Sequence, residues 1–217
     1  MEEFLAELWN VRGQLAIGLF YTFWISATAI AIGSVIGLFT GIGLFFGGRP
    51  VRWSLRVYVD VIRGTPVLVL ILASFYILAV LNVNLTAAAS GVLALSLFCG
   101  AHLGEMLRGA FQSIPAAQID GGKSVGLRMP HIILLVLLPQ AIRMMAPVWT
   151  NTSVEIVKAS TLLSIIGVGE MLLKTQEIIS RTFLTLEFYA VAGILYFCVN
   201  FAIETLGKRI ERRARWT

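Results

Sequence analysis

Long apolar runs, interrupted by short polar stretches, set the pattern of this sequence. From Leu15 to Phe46 there is no charged residue. About 20 apolar residues cross a bilayer as a helix, so the run predicts a first span over 15–46. Within it Gly33, Gly37 and Gly41 recur at every fourth position. That spacing puts small residues on one face and lets a second helix approach closely. It serves either plain close packing or a dimerisation face. Gly47-Gly48-Arg49-Pro50 ends the run.

A second span is expected over 57–81. It carries Asp60 and Arg63, which share one face of a helix near an end where long side chains snorkel to the interface. Arg63-Gly64-Thr65-Pro66 interrupts it. Pro66 lacks a backbone donor and Gly64 loosens the chain, so a bend or a helix start belongs here. From Gly64 to Gly104 the chain again holds no Asp, Glu, Lys or Arg, which is too long for one crossing. Asn82-Val-Asn84-Leu-Thr86 breaks this run with a turn, and a third span follows over 87–106. Glu105, near its end, is either a functional group inside a span or half of a helix-end ion pair with Arg108.

Residues 115–131 form a polar, glycine-rich island, closed by Leu138-Pro139-Gln140. The fourth expected span, 140–157, is unusually polar. It holds Arg143, Asn151, Thr152, Ser153 and Glu155, and leads into Lys158, Ser160, Thr161 and Ser164. A lipid-facing helix does not carry this load, so its polar side must face protein or a water-filled cavity. Residues 167–187 mix charge with apolar Met171, Leu172, Ile178 and Ile179, the spacing of a short amphipathic helix. The last span is expected over 188–206, followed by a basic tail from Lys208 to Arg215.

Composition agrees with the pattern. Charged residues make up 13% of the chain, against about 25% in an ordinary soluble domain. The net charge of +5 is no nucleic-acid footprint, because the basic residues sit in short clusters beside apolar runs, the distribution of topology signals. Eleven Lys and Arg fall in the first loop, the island region and the tail, whereas Arg12, Lys158, Lys174 and Arg181 fall on the other side. Basic loops stay in the cytoplasm. The expectation is an all-α membrane protein of five transmembrane helices, with the N-terminus outside and the C-terminus cytoplasmic. The acidic start Met1-Glu2-Glu3 does not resemble a cleaved signal peptide, so the first span is expected to direct insertion. Cys99 and Cys198 lie in apolar runs and read as small core residues.

Candidate chemistry narrows the function further. Gly122-Lys123-Ser124 imitates the end of a phosphate-binding loop, but Ala117 stands where the first glycine belongs and no strand precedes it. No nucleotide site is expected on this chain. No catalytic or metal-ligating set is expected either, since His102 and His131 stand apart and no CxxC spacing occurs. In the island, Asp120 and Lys123 can pair at i,i+3. Gly121 and Gly122 each cost about 1 kcal/mol in helix propensity, tolerable where another protein must approach the backbone. Gly126 can close the helix as a C-cap. A docking loop and an ordinary structured loop both fit these residues.

Several motifs in order decide between them. The island matches a pattern in which Glu-Ala-Ala is followed at fixed spacing by Gly and then Ile-x-Leu-Pro. Here Asp120-Gly121-Gly122 take the first positions, Gly126 the glycine, and Val136-Leu-Leu138-Pro139 the close. Glu105-Met-Leu-Arg108-Gly, Arg63-Gly-Thr-Pro-Val, Leu138-Pro-Gln-Ala-Ile-Arg143 and Lys158-Ala-Ser160-Thr161-Leu-Leu-Ser164 lie in matching order. On these motifs the chain resembles the membrane permease subunit of ATP-binding-cassette importers, in the branch for polar amino acids. Asp120 keeps the acidic charge on a shorter arm, and Gly121-Gly122 replace two alanines.

The resemblance implies a type I importer permease fold in a bacterial inner membrane. It implies ATPase coupling through Asp120, Gly121, Gly122, Lys123 and Gly126. The expected partners are a cytoplasmic ATPase dimer that holds ATP and Mg, a second permease subunit (identical or different), an extracytoplasmic solute-binding protein and a polar amino acid. Asn151, Glu155 and Lys158, helped by Ser160 and Thr161, are the expected substrate pathway, with Arg63, Thr65, Pro66 and Glu105 as hinge or support. The charges near 155 alternatively pair with one another or hold the subunit interface. An ion-coupled secondary carrier and a structural half that binds no solute are the competing readings.

Overall fold

The computed structural model describes residues 2–215, with side chains for 4–209 and for 211 and 212. All regular elements among the described residues are helices: α1 (Glu2–Phe46), α2 (Arg49–Gly64), α3 (Val67–Val80), α4 (Ala87–Ser113), α5 (Ala117–Ser124), α6 (Met129–Ile166), α7 (Met171–Thr182) and α8 (Thr185–Arg215). α1, α4, α6 and α8 are each long and apolar enough to cross a membrane, and the bent pair α2–α3 makes a fifth crossing when counted as one. Of the basic tail, the side chains of Arg213 and Arg215 lie outside the described residues.

α1 has 45 residues, about 67 Å at the helical rise, and so outreaches a hydrocarbon layer of about 30 Å. It is apolar on all sides along the predicted span, as a helix between lipid and protein must be. One row is buried, including Leu15, Ile25, Ala29 and Leu44, while Phe20, Phe23, Trp24 and Phe39 stay exposed. The glycine row lies on the buried side. A Cβ on Gly33, Gly37 or Gly41 would stand 2.5, 2.7 or 2.6 Å from the Cβ of Cys99, Leu103 or Leu107 of α4. α4 answers with Gly100 against Ile36 and Gly104 against Thr40. The small residues therefore serve close packing within the chain, and this face is not free to dimerise.

Three elements differ from the pattern-based boundaries. The span expected over 57–81 begins earlier, at Arg49, and the bend expected at Arg63–Pro66 is there, turning the chain by 112° between α2 and α3. Thr65 ends α2 in extended conformation and Pro66 starts α3. Within a π turn at Ala73–Ile77, α3 is held to α4 by Ser74, whose Oγ donates to the Ser90 carbonyl at 2.9 Å. The third helix does not stop at 106 but runs to Ser113, so Glu105 and Arg108 lie inside it. The fourth begins at Met129, not near 140, because Pro139 does not break it. The helix widens to a π turn at Ile133–Leu137 just before the proline, which accommodates the ring and the missing donor. The Gln140 side chain then donates to the Val136 carbonyl at 2.7 Å.

α6 tightens over Ser160–Ile166 and ends at Gly167, whose φ of +80° is the left-handed conformation that suits glycine. α7 is amphipathic as expected. Its Met171 and Ile178 are buried with Val11 and Leu15 of α1 and Phe188 and Ala192 of α8.

Candidate functional site

α6 carries the polar load and divides it by face. Thr150, Thr152, Ser153, Ile156 and Val157 are buried against the rest of the chain. Asn151, Glu155 and Lys158 are exposed, and their spacing places them in one row along the helix. Among the described residues none of these three side chains makes a hydrogen bond or ion pair, and Glu155 and Lys158 do not pair with each other. An unmatched carboxylate and ammonium on a membrane helix are not tolerated against lipid. The row is therefore completed by water, solute or another subunit.

Two hollows lie on other sides of the same helix and are apolar. One of about 370 Å³ is lined by Leu38, Leu103, Ile142, Met145 and Trp149 among others, the second of about 300 Å³ by Phe23, Ile30, Trp149, Val157 and Ile203 among others. Trp149 separates them and donates from Nε1 to Ser34 Oγ at 2.9 Å. Neither includes a residue of the charged row, so neither offers a charged solute a partner there.

The two hydroxyls expected beside the row behave differently. Ser160 is fully buried and donates to the Val157 carbonyl at 2.8 Å, so it does not line an open path. By helical spacing it continues the buried row Ser153, Ile156 and Val157, which turns it inward. Thr161 is half-buried and donates to the Lys158 carbonyl at 2.7 Å. Arg63 is exposed at the end of α2, and Thr65 donates to the Val61 carbonyl at 2.7 Å. Asp60 shares a face with Arg63 but meets Arg56 instead, at 3.9 Å. Glu105 does pair with Arg108, but within α4 and not at its end: Arg108 Nη2 lies 2.6 Å from its Oε1, and Arg56 Nη1 lies 3.2 Å from its Oε2.

The island folds as α5 and a C-terminal cap. Gly126 has φ +80°. Its N–H donates to the Lys123 carbonyl at 2.9 Å, and that of Leu127 to the Gly122 carbonyl at 3.0 Å, the paired bonds of a Schellman ending. Gly122 faces inward, where a Cβ would come 2.8 Å from Ile132 Cγ1. Its smallness is thus explained within the chain. Gly121 faces open space. Asp120 and Lys123 are exposed and form no ion pair among the described residues. Ser124 Oγ donates to the Asp120 backbone carbonyl at 2.9 Å. The exposed residues of α5 and its cap are Ala117, Gln118, Asp120, Gly121, Lys123, Ser124, Val125 and Gly126, which present both signs of charge around a bare glycine.

Sequence reasoning missed Glu170. It is completely buried and caps α7, accepting from the N–H of Leu172 at 3.0 Å and of Leu173 at 2.9 Å. Tyr196 of α8 donates to it at 2.6 Å, and Thr22 of α1 accepts from the next N–H, that of Met171, at 3.1 Å. Burial pushes its carboxyl above the usual carboxylate range, while the hydrogen bonds from Tyr196 and the two N–H groups pull it back. Glutamate is not a common cap, so its place before Met171-Leu-Leu carried no signal.

Comparison with known proteins places this geometry. The family described as binding-protein-dependent transport system inner membrane component matches residues 15–216. The L-cystine transport system permease protein TcyB of Bacillus subtilis (strain 168) is 34% identical over 92% of this chain and 86% of its own length. The glutamine transport system permease protein GlnP of Escherichia coli (strain K12) is 31% identical over 96% of each. A crystal structure of an amino acid ABC transporter with histidines superposes with a TM-score of 0.88 at 28% identity, covering 97% of this chain and 98% of that one. An inward-facing MetNI methionine ABC transporter shares the fold at a TM-score of 0.84 and 19% identity, over 94% of this chain and 98% of that one.

Proposed function

The chain belongs to the binding-protein-dependent transport system inner membrane component family, and on that premise we propose that this multi-pass inner-membrane permease moves a polar amino acid by alternating access, driven by a separate ATPase. Its likeness to amino-acid permeases over nearly its whole length supports the solute class. The observation that carries the pathway is the unmatched row Asn151, Glu155 and Lys158 on α6. A zwitterion presents both signs of charge, and the row offers both about one turn apart. Thr161 stands half-exposed beyond Lys158.

In this reading the basic loops and tail are cytoplasmic and the N-terminus lies outside. α5 docks on a cytoplasmic ATPase dimer, which binds ATP and Mg. Gly121, facing open space, lets the partner reach the backbone, and Asp120 and Lys123 offer it both signs of charge. A second permease subunit, the same chain or a relative, completes the α6 row, and an extracytoplasmic binding protein delivers the solute. Closure of the ATPases draws the two α5 helices together and rocks the spans.

Reconstituted uptake with simultaneous ATP hydrolysis tests the docking. Asp120→Ala and Gly126→Asp should leave the membrane protein folded yet separate hydrolysis from import. Gly126→Asp should also strain the left-handed cap, by about 1 kcal/mol. Tightly coupled import in both variants would remove α5 from the docking role.

A further inference from the structure

Glu105 lies two turns before the end of α4, the helix that leads through Ile114-Pro115 into α5. Arg108 grips its carboxylate with two prongs, Nε to Oε2 at 3.0 Å and Nη2 to Oε1 at 2.6 Å. This pair belongs to one helix and moves with it. The second cation comes from another element: Arg56 of α2 donates from Nη1 to Oε2 at 3.2 Å. The Glu105 side chain is only 14% exposed, so water screens the bridge less than it screens a surface pair.

Nearby contacts fasten the same part of α2. Tyr58 donates to the Leu97 carbonyl of α4 at 2.7 Å. Val59 is buried with Ala101 of α4 and Leu44 of α1. Two turns past Arg56, α2 ends at the 112° bend before α3. α4 is thus an unbroken rod with α5 at one end and a grip on the bent crossing along its side.

Resting on the docking role of α5 proposed above, we infer that the Arg56–Glu105 bridge is the joint through which movement of the docking helix reaches the bent crossing. Arg56 and Glu105 act as positioning residues of the transport cycle, since neither needs to touch solute. Arg108 holds the carboxylate with Oε2 turned towards α2. When α5 is pulled, α4 carries Glu105, Glu105 carries Arg56, and the bend at Gly64–Pro66 takes up the change of angle.

The test uses the assembled transporter, permease with its ATPase and binding protein, in proteoliposomes. Arg56→Gln, Glu105→Gln and the double variant are compared for ATP hydrolysed per solute imported, for the solute KM, and for ATPase retained on purification. Each single variant should raise ATP per solute by about fivefold or more, with KM unchanged and the ATPase fully retained. The double variant should be no worse than the worse single, because both remove the same bond. An unchanged ratio in either single variant, or a double effect equal to the product of the singles, would overturn the joint. Arg56→Lys keeps the charge and should retain most of the coupling; a lysine variant no better coupled than Arg56→Gln counts against it. Wild-type complex without ATP-driven uptake would instead sink the docking role itself.

Discussion

α4 and α6 both cross the apolar layer and both carry charge, yet the chain treats them in opposite ways. The one carboxylate of α4, Glu105, is gripped by Arg56 and Arg108. Gly100 and Gly104 of the same helix seat against Ile36 and Thr40 of α1. On α6 the carboxylate of Glu155 and the ammonium of Lys158 face outward with no partner among the described residues. A charge on a membrane helix needs a partner or water on either helix. The difference shows which helix the chain finishes by itself and which it leaves for something outside to finish.

The largest expected effect breaks the finished side. Gly37→Leu places a side chain where Leu103 and the backbone of Gly104 already stand, at 2.7 and 3.2 Å from the first added carbon. Backbone cannot yield as a side-chain tip does, so the penalty should reach about 3 kcal/mol or more. The variant should fail to accumulate as folded permease, measured by size-exclusion of detergent extracts. Normal yield would mean that α1 and α4 are not close-packed as described.

A smaller effect sharpens the unfinished side. Glu155→Gln removes a charge that no described residue of the chain pairs with. Folding and subunit assembly should survive, while solute uptake falls about tenfold or changes its preference, as the loss of a charge-assisted contact does. Unchanged uptake kinetics would take Glu155 out of the pathway.

The smallest effect concerns a third carboxylate. Glu170 is completely buried, more so than Glu105, and its donors are neutral N–H and O–H groups. Burial raises its folded pKa above the unfolded value. Its contribution to stability is then full below about pH 4.3, the ordinary glutamate value, and is lost as pH rises through the raised value. Glutamine does not titrate. The melting temperature of the wild type should therefore drop relative to Glu170→Gln as pH rises above about 4. A difference that stays flat with pH would show that the carboxyl titrates as if solvated.

These three acids also mark how far the sequence could be read. Charge-free runs located α1, α3 and α4, because the absence of charge over such lengths has few other causes. The cap at Gly126 was legible from glycine after a short polar helix, and the glycine row of α1 from its spacing. Boundaries were not legible where a proline was absorbed: nothing near Pro139 announces the π turn that lets α6 continue from Met129. Burial of single hydroxyls was equally hidden. Ser160 and Thr161 are adjacent and alike in type, and only Ser160 falls in line with the buried Ser153, Ile156 and Val157. The Arg56–Glu105 and Glu170–Tyr196 contacts join residues far apart in the chain, and local pattern does not record such pairs.

The exposed row on α6 is best tested at Asn151. In a permease whose Cys99 and Cys198 have been replaced, Asn151→Cys is assembled with its partners and treated with a hydrophilic maleimide. A row that lines the pathway predicts that the thiol is labelled in the intact complex and that the transported amino acid slows the labelling. A thiol that stays unlabelled until the complex is taken apart would contradict this, and would place Asn151, Glu155 and Lys158 in a closed contact between subunits.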